Sequence, residues 1–194
     1  MLLTVGQLRA RTAQAKADRR LQILSSAAAV CAAASYEELT VADVADRAGV
    51  AKGTVFRYFP TKEDLGRALA GEHLGRWVDD LDRRLARLPG PPAPDVAARL
   101  LVESLAGRRD LLALASRGLA GTETLDEASA ATALERALPY LGLGGGARLL
   151  RTALASAAGL RATLAGDSAL PAELHHTLRA HLTGLRAATL RGTV

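Results

Sequence analysis

The stretch LTVADVADRAGVAKGTVFRYFPTKEDL, residues 39–65, decides the fold. Thr40 places a hydroxyl where a helix begins and can accept from the amide of Asp43, whose acid sits in the positive first turn. Val41, Val44, Ala45 and Ala48 then recur at helical spacing, and Gly49 follows where a left-handed residue ends a helix. After Val50 and Ala51 a third short helix runs from Lys52 to Phe59 and is stopped by Pro60. Thr61 to Asp64 repeat the capping pattern and open a fourth helix. Two helices meeting steeply through a three-residue turn need a small residue at the crossing and a glycine able to take positive φ, and Ala45 and Gly49 supply them. With Val44, Val50 and Val55 turned inward, Lys52, Gly53, Thr54, Phe56, Arg57 and Tyr58 are left facing outward. That set suits the major groove of duplex DNA. Arg57 can pair with guanine, Thr54 can approach bases or thymine methyls, Gly53 allows close approach, and Lys52 and Lys62 can bind phosphates.

Working outward, Leu21, Leu24, Ala28, Cys31 and Ala32 predict a first helix from about residue 18 to 35 with one apolar face. Downstream, Leu65, Leu69, Leu74, Trp77, Val78, Leu81, Leu85 and Leu88 keep one stripe apolar for about seven turns at 3.6 residues per turn. The stripe ends in Pro-Gly-Pro-Pro-Ala-Pro, residues 89–94. Further helices are expected near 95–106, 109–120, 124–138, 146–166 and 171–191. The expected fold class is all-α: an N-terminal three-helix DNA-binding domain with a helix-turn-helix, then a C-terminal helical bundle. The expected divisions are a basic arm, 1–17, a helix-turn-helix domain, 18–66, and a helical body, 67–194.

Composition agrees. The 194 residues are 49% hydrophobic and 3% aromatic, which disfavours a β-sandwich, because strands favour aromatic and β-branched residues. The lone cysteine, Cys31, excludes an internal disulfide and a cysteine-clustered zinc site, and it reads as a small buried hydrophobe. The charge of +5 is uneven. Residues 1–62 hold nine Lys and Arg against five acids, and residues 63–194 hold sixteen against fifteen. The basicity therefore belongs to the N-terminal third, where the arm from Arg9 to Arg20 reads either as a second DNA contact or as an ordinary tail. The uncharged stretch 21–36, with Ala32-Ala33-Ala34, mimics a secretory signal, but Gln22, Ser25 and Ser26 interrupt it and it is too short to span a membrane. No membrane partner and a cytoplasmic location are expected.

Residues 39–65, preceded by Tyr36, resemble the DNA-binding domain of the TetR family of bacterial transcriptional regulators, and the resemblance extends over about residues 18–77. It implies a homodimeric, ligand-responsive regulator, usually a repressor, with a six-helix effector-binding and dimerisation body. By that resemblance Lys52, Gly53, Thr54, Arg57 and Tyr58 fall where the family contacts DNA. Lys62 falls where a lysine grips a phosphate, and Thr40 where the backbone is often touched. Phe56 replaces the usual tyrosine, and Ala51 replaces a frequent Ser or Thr cap. The resemblance also implies pairing of the last two helices with their partner-chain copies, although the same stripes fit an intrachain core.

The body offers few polar handles. His73, Trp77, Arg117 and Tyr140 are the candidate effector contacts, and an aliphatic lining favours a small, mostly apolar effector. The alternative is a DNA-bound adaptor or activator without an effector. Gly142-Leu-Gly-Gly-Gly-Ala147 matches a dinucleotide fingerprint only formally, with no strand before it, so no cofactor is expected. His175, His176 and His181 lack metal-ligand spacing, and no paired carboxylates or nucleophile with a base point to an enzyme.

Overall fold

The structure, a computed structural model, describes residues 5–119, 135, 138, 145–163 and 170–191. Its helices are α1 (Val5–Ala33), α2 (Val41–Ala48), α3 (Lys52–Tyr58), α4 (Lys62–Leu85), α5 (Pro94–Ala106), α6 (Arg109–Ser116), α7 (Gly145–Thr163) and α8 (Leu170–Arg191). The chain folds as two units, Met1–Leu69 and Ala70–Val194, which divide within α4. The expected helix near 124–138 lies almost entirely outside the described residues, as do Gly142 to Gly144, whereas Gly145 and Gly146 open α7.

In the first unit α1 packs on α2, and α2 on α3. The core is built from Ile23, Leu24, Ala27 and Cys31 of α1 with Val44, Ala45, Val55, Phe59, Leu65 and Leu69. The stripe of α1 differs from the periodic reading: Leu21 is 54% exposed and Ala32 is exposed, while Ile23 and Ala27 are fully buried. Alanine satisfies a helix on any face, so the run 27–34 does not mark its own inner side. The helix also begins at Val5 rather than near residue 18. Residues 7–22 contain no Gly or Pro and are rich in Ala, Arg, Gln and Lys, so nothing local stops it.

The short helix α2 is held by its ends. Thr40 Oγ1 accepts from the Asp43 amide at 3.2 Å and donates to the Asp43 carboxylate at 2.6 Å. Gly49 adopts φ 63°, its amide bonding Asp46 O while the Val50 amide reaches Ala45 O at 3.0 Å. That paired closure ends α2 and aims the chain into α3.

In the second unit α5 packs on α8, α6 on α7 and α7 on α8. Trp77, Leu81 and Leu85 of α4 join Leu101, Leu105, Leu111, Leu149, Ala153, Leu178 and Leu182 in one buried cluster. The last regular residue of α4 is Leu85, not Leu88, which packs partly buried against the cluster after a tightened turn. Likewise α6 stops at Ser116, not residue 120, because Gly118 at φ 70° lets the Leu119 amide close back onto Leu114 O.

Candidate nucleic-acid interface

The turn at Gly49 and the buried side chains of Val55 and Phe59 fix which side of α3 faces solvent. Lys52, Gly53, Phe56 and Arg57 are exposed, and Thr54 and Tyr58 are half-buried on the flanks. The sequence-derived outer set thus occupies one continuous face, with Phe56 40% exposed although it is a large apolar ring. Nothing but space lies within 4 Å of where a Cβ on Gly53 would stand. A backbone so open can approach a ligand surface closely. Lys52 Nζ lies 6.0 Å from the Phe56 ring centroid, which keeps the ammonium on the outer face. Ala51 gives α3 no side-chain cap, and its carbonyl accepts from the Thr54 amide at 2.8 Å. The exposed α3 cations and first-turn amides therefore form a positive face of small height with two hydrogen-bonding side chains, a shape matched to a groove edge.

Lys62 sits apart from that face. It is half-buried; its Nζ donates to the Glu37 carbonyl at 2.9 Å and lies 5.0 Å from the Tyr36 ring centroid. Tyr36 in turn donates its phenol proton to the Lys62 carbonyl at 3.0 Å. Gly66 makes room for this ring: a Cβ there would stand 2.6 Å from the Tyr36 hydroxyl. The loop after α1 and the start of α4 are thereby knotted together, and only the remaining protons of Lys62 are left for a phosphate. Thr61 and Asp64 cap α4 reciprocally, Asp64 N to Thr61 Oγ1 at 3.0 Å and Thr61 N to the Asp64 carboxylate at 3.1 Å. The Thr61 hydroxyl, followed by Arg67, holds the Asp64 carboxyl below the usual carboxylate range. Thr40 is exposed, its hydroxyl committed to Asp43.

Sequence reading missed Tyr36 and Gly66 as a contact pair, and it missed Gln22, whose amide donates to the Ala48 carbonyl at 2.9 Å and satisfies the end of α2. Each depends on a partner tens of residues away, so no local signal announces it.

Of the four effector candidates, Trp77 is fully buried and donates from Nε1 to Ser104 Oγ at 2.8 Å. Ser104 passes its own proton to Leu101 O, and Arg108 bonds the Ser104 carbonyl and the Asp80 carboxylate. Burial tends to raise the Asp80 carboxyl, but the hydrogen bonds and charges of Arg84 and Arg108 outweigh it and hold the carboxyl low. His73 is half-buried with Nε2 unpartnered, and burial lowers its pKa, Asp110 opposing and Arg76 and Arg108 reinforcing. Arg117 is exposed at the end of α6. Tyr140 lies outside the described residues. On the last helix His175 Nε2 approaches Asp95 Oδ1 at 3.5 Å, and among the described residues no cluster of His, Cys, Asp and Glu could hold a metal. No helix among them is long and apolar enough to cross a membrane.

Residues 23–69 match the family model described as bacterial regulatory proteins, tetR family. The repressor KstR of Mycobacterium tuberculosis is 39% identical over 70 residues, which cover 36% of this chain and 32% of KstR. The chain spans about a third of the length of the curated relatives it matches, and those relatives are regulators. Among solved structures, a TetR-family regulator from Mesorhizobium loti is similar with a TM-score of 0.57 at 19% identity, covering 89% of this chain and 96% of that one. FadR from Bacillus subtilis, solved with stearoyl-CoA, is similar with a TM-score of 0.55 at 20% identity, covering 84% and 98%. At these identities the likeness shows the fold.

Proposed function

We propose that this chain, whose residues 23–69 form the DNA-binding domain of the TetR family, is a cytoplasmic transcriptional repressor that binds a near-palindromic operator as a homodimer and releases it on binding a small, mostly apolar effector. It acts by binding and carries no enzymatic activity. The observation that carries the reading is the outer face of α3, with Arg57 exposed between Phe56 and Tyr58 on a helix aimed by the Gly49 turn. Arg57 and Thr54 read base edges, Lys52 and Tyr58 hold the backbone beside them, Gly53 lets α3 sink into the groove, and Phe56 adds an apolar contact. Lys62 and Thr40 contribute to backbone positioning from the starts of α4 and α2.

Dimerisation through α7 and α8 is supported by the small residues they leave exposed. Ala155, Gly159, Ala180 and Gly184 are exposed small residues that permit close helix approach. A two-fold dimer presents its recognition helices to major-groove faces about 34 to 36 Å apart or a multiple of that. The body, with its leucine-rich interior, suits an acyl chain or a ligand of similar polarity, and FadR with its stearoyl-CoA supplies a first compound to try. His73 and Arg117 are the groups assigned to orient the polar end of the effector; Trp77 and Tyr140 complete the assignment.

The test is selection of bound duplexes from random or genomic DNA, followed by release measured with long-chain acyl-CoA and with polar metabolites. An enriched palindrome released by the apolar compounds is expected. No enrichment would overturn DNA reading. An enriched site indifferent to the apolar compounds would favour an adaptor or activator that needs no effector.

A further inference from the structure

The first unit carries a helix longer than its core requires. From Arg11 onward Ile23 is the first buried residue of α1, yet the helix begins at Val5, and every residue from Arg11 to Arg20 is exposed. From Val5 to Arg20 this extension reaches about 22 Å at 1.5 Å per residue. Its composition selects the kind of partner that could cover it. Between Arg11 and Arg20 the apolar residues are alanines only, so there is no hydrophobic face to seat on a protein. The same ten residues hold Arg11, Lys16, Arg19 and Arg20 against a single acid, Asp18, which accepts the Gln14 amide at 2.7 Å.

The cations are also placed. Lys16, Arg19 and Arg20 precede Ile23 and Ala27 at spacings of four and seven, so they prolong the inner side of α1 beyond the core. Arg20 stands 4.9 Å from the centroid of the Phe59 ring, and Phe59 is the residue that caps α3. The extension thus leaves the unit beside the C-terminal end of the recognition helix with its positive side continuous with the domain. An isolated helix of this length is marginal in water and gains from a partner.

We infer that α1 from Lys16 to Arg20 is a second DNA-binding element, in which Lys16, Arg19 and Arg20 bind phosphates in the duplex flanking the half-site that α3 reads. The inference rests on the DNA-binding reading proposed above. It gives each half-site a footprint longer than its base-read core, and it contributes affinity without sequence preference.

The experiment uses the full chain and its selected operator in two lengths, trimmed to the half-sites or extended by one helical turn on each side. Wild type is expected to bind the extended duplex more tightly and with a steeper salt dependence. Lys16→Gln with Arg19→Gln, leaving the Arg20 stack intact, should erase the advantage and lower the salt slope by about 0.9 per lost phosphate contact, while binding to the trimmed duplex stays unchanged. Arg87→Gln, an exposed arginine of the second unit, serves as the charge-matched control and should change neither. Circular dichroism confirms that the variants keep their helix content. Equal affinity of wild type for both lengths, or equal loss by the double variant on both, overturns the inference and leaves the DNA reading standing. Failure of wild type to select any duplex removes both. Retention on phosphatidylglycerol vesicles with no gain from the flank assigns the stripe to a lipid surface and overturns it too.

Discussion

The two units of the molecule are held by different means. In the first, α2 and α3 have 8 and 7 residues, too short to persist on propensity, and bonds at the ends of α2 and at the start of α4 set the geometry. Thr40 caps α2, Gly49 closes it, Gln22 satisfies its last carbonyl, and the knot of Tyr36, Lys62 and Gly66 sets where α4 begins. In the second unit the interior is leucine and alanine, with Ser104 the one buried polar side chain among the described residues. Specific polar bonds fix the angle at which a short helix presents its side chains. A leucine and alanine interior is held by area, which tolerates rearrangement.

The largest expected effect tests the area-held side. Trp77→Ala removes a fully buried indole and should cost about 3 to 5 kcal/mol, read by urea denaturation followed by circular dichroism. Trp77→Phe keeps most of the buried ring but removes the Nε1 donor to Ser104 with the rest of the pyrrole ring, so about 1 to 3 kcal/mol is expected. If the phenylalanine variant lost as much as the alanine one, polar bonding would govern the body as well, and the contrast between the units would fail.

Gly66→Ala probes the other side. Its Cβ would stand within 2.8 Å of three atoms of the Tyr36 ring and hydroxyl, so a loss of about 1 to 3 kcal/mol is expected from overpacking. In a double-mutant cycle with Tyr36→Ala the two losses should be strongly less than additive. Additive losses would mean that the glycine serves something other than this ring. Arg57→Ala should leave stability within about 0.5 kcal/mol, because the residue is exposed, while relaxing discrimination at one operator position by about 1 to 3 kcal/mol. A uniform loss on every sequence would make Arg57 a backbone contact.

The same contrast explains what could be read in advance. The boundaries of α2, the start of α3 and its outer face follow from signals within a few residues of each other, and Thr40, Gly49 and Pro60 carry them. The inner side of α1 is not legible because alanine fits either side of a helix, and its start is not because no Gly or Pro in residues 7–22 marks it. Tyr36 with Gly66, and Trp77 with Ser104, were invisible as pairs, since each joins residues 27 or more positions apart. Of the effector candidates, sequence reasoning could find polar side chains in an aliphatic body, but not that Trp77 spends its donor inside the core.

A pH titration should find the two units unequal. Burial lowers the pKa of His73 and His181 below 6.5, and the Nε2 of each is buried without a partner. Asp110 works against the shift at His73, and Arg148 adds to it at His181. Below about 6.5 the unfolded chain therefore binds more protons than the folded one. The stabilisation is complete above that value and is lost as the pH falls toward the folded pKa values. Thermal melts at neutral and mildly acidic pH should show the body losing Tm, and His73→Gln with His181→Gln should reduce the loss. An undiminished loss in the double variant would place the acid sensitivity elsewhere.

The smallest expected effect comes from Ala51→Ser. Ala51 has the extended geometry of a helix N-cap, φ −67° and ψ 145°, and lacks any side-chain acceptor for the first-turn amides of α3. A serine hydroxyl there can accept from the amides near Gly53 and Thr54, which should stabilise the first unit by about 0.5 to 1 kcal/mol. If ends govern this unit, the gain should appear in amide exchange of α3 and leave the body unchanged. Ala51 is exposed, so the new side chain displaces nothing in the core. A variant that gained no protection in α3 would show that the inward packing of Val55 and Phe59 alone holds the recognition helix. That result would bring the first unit closer to the area-held character of the second.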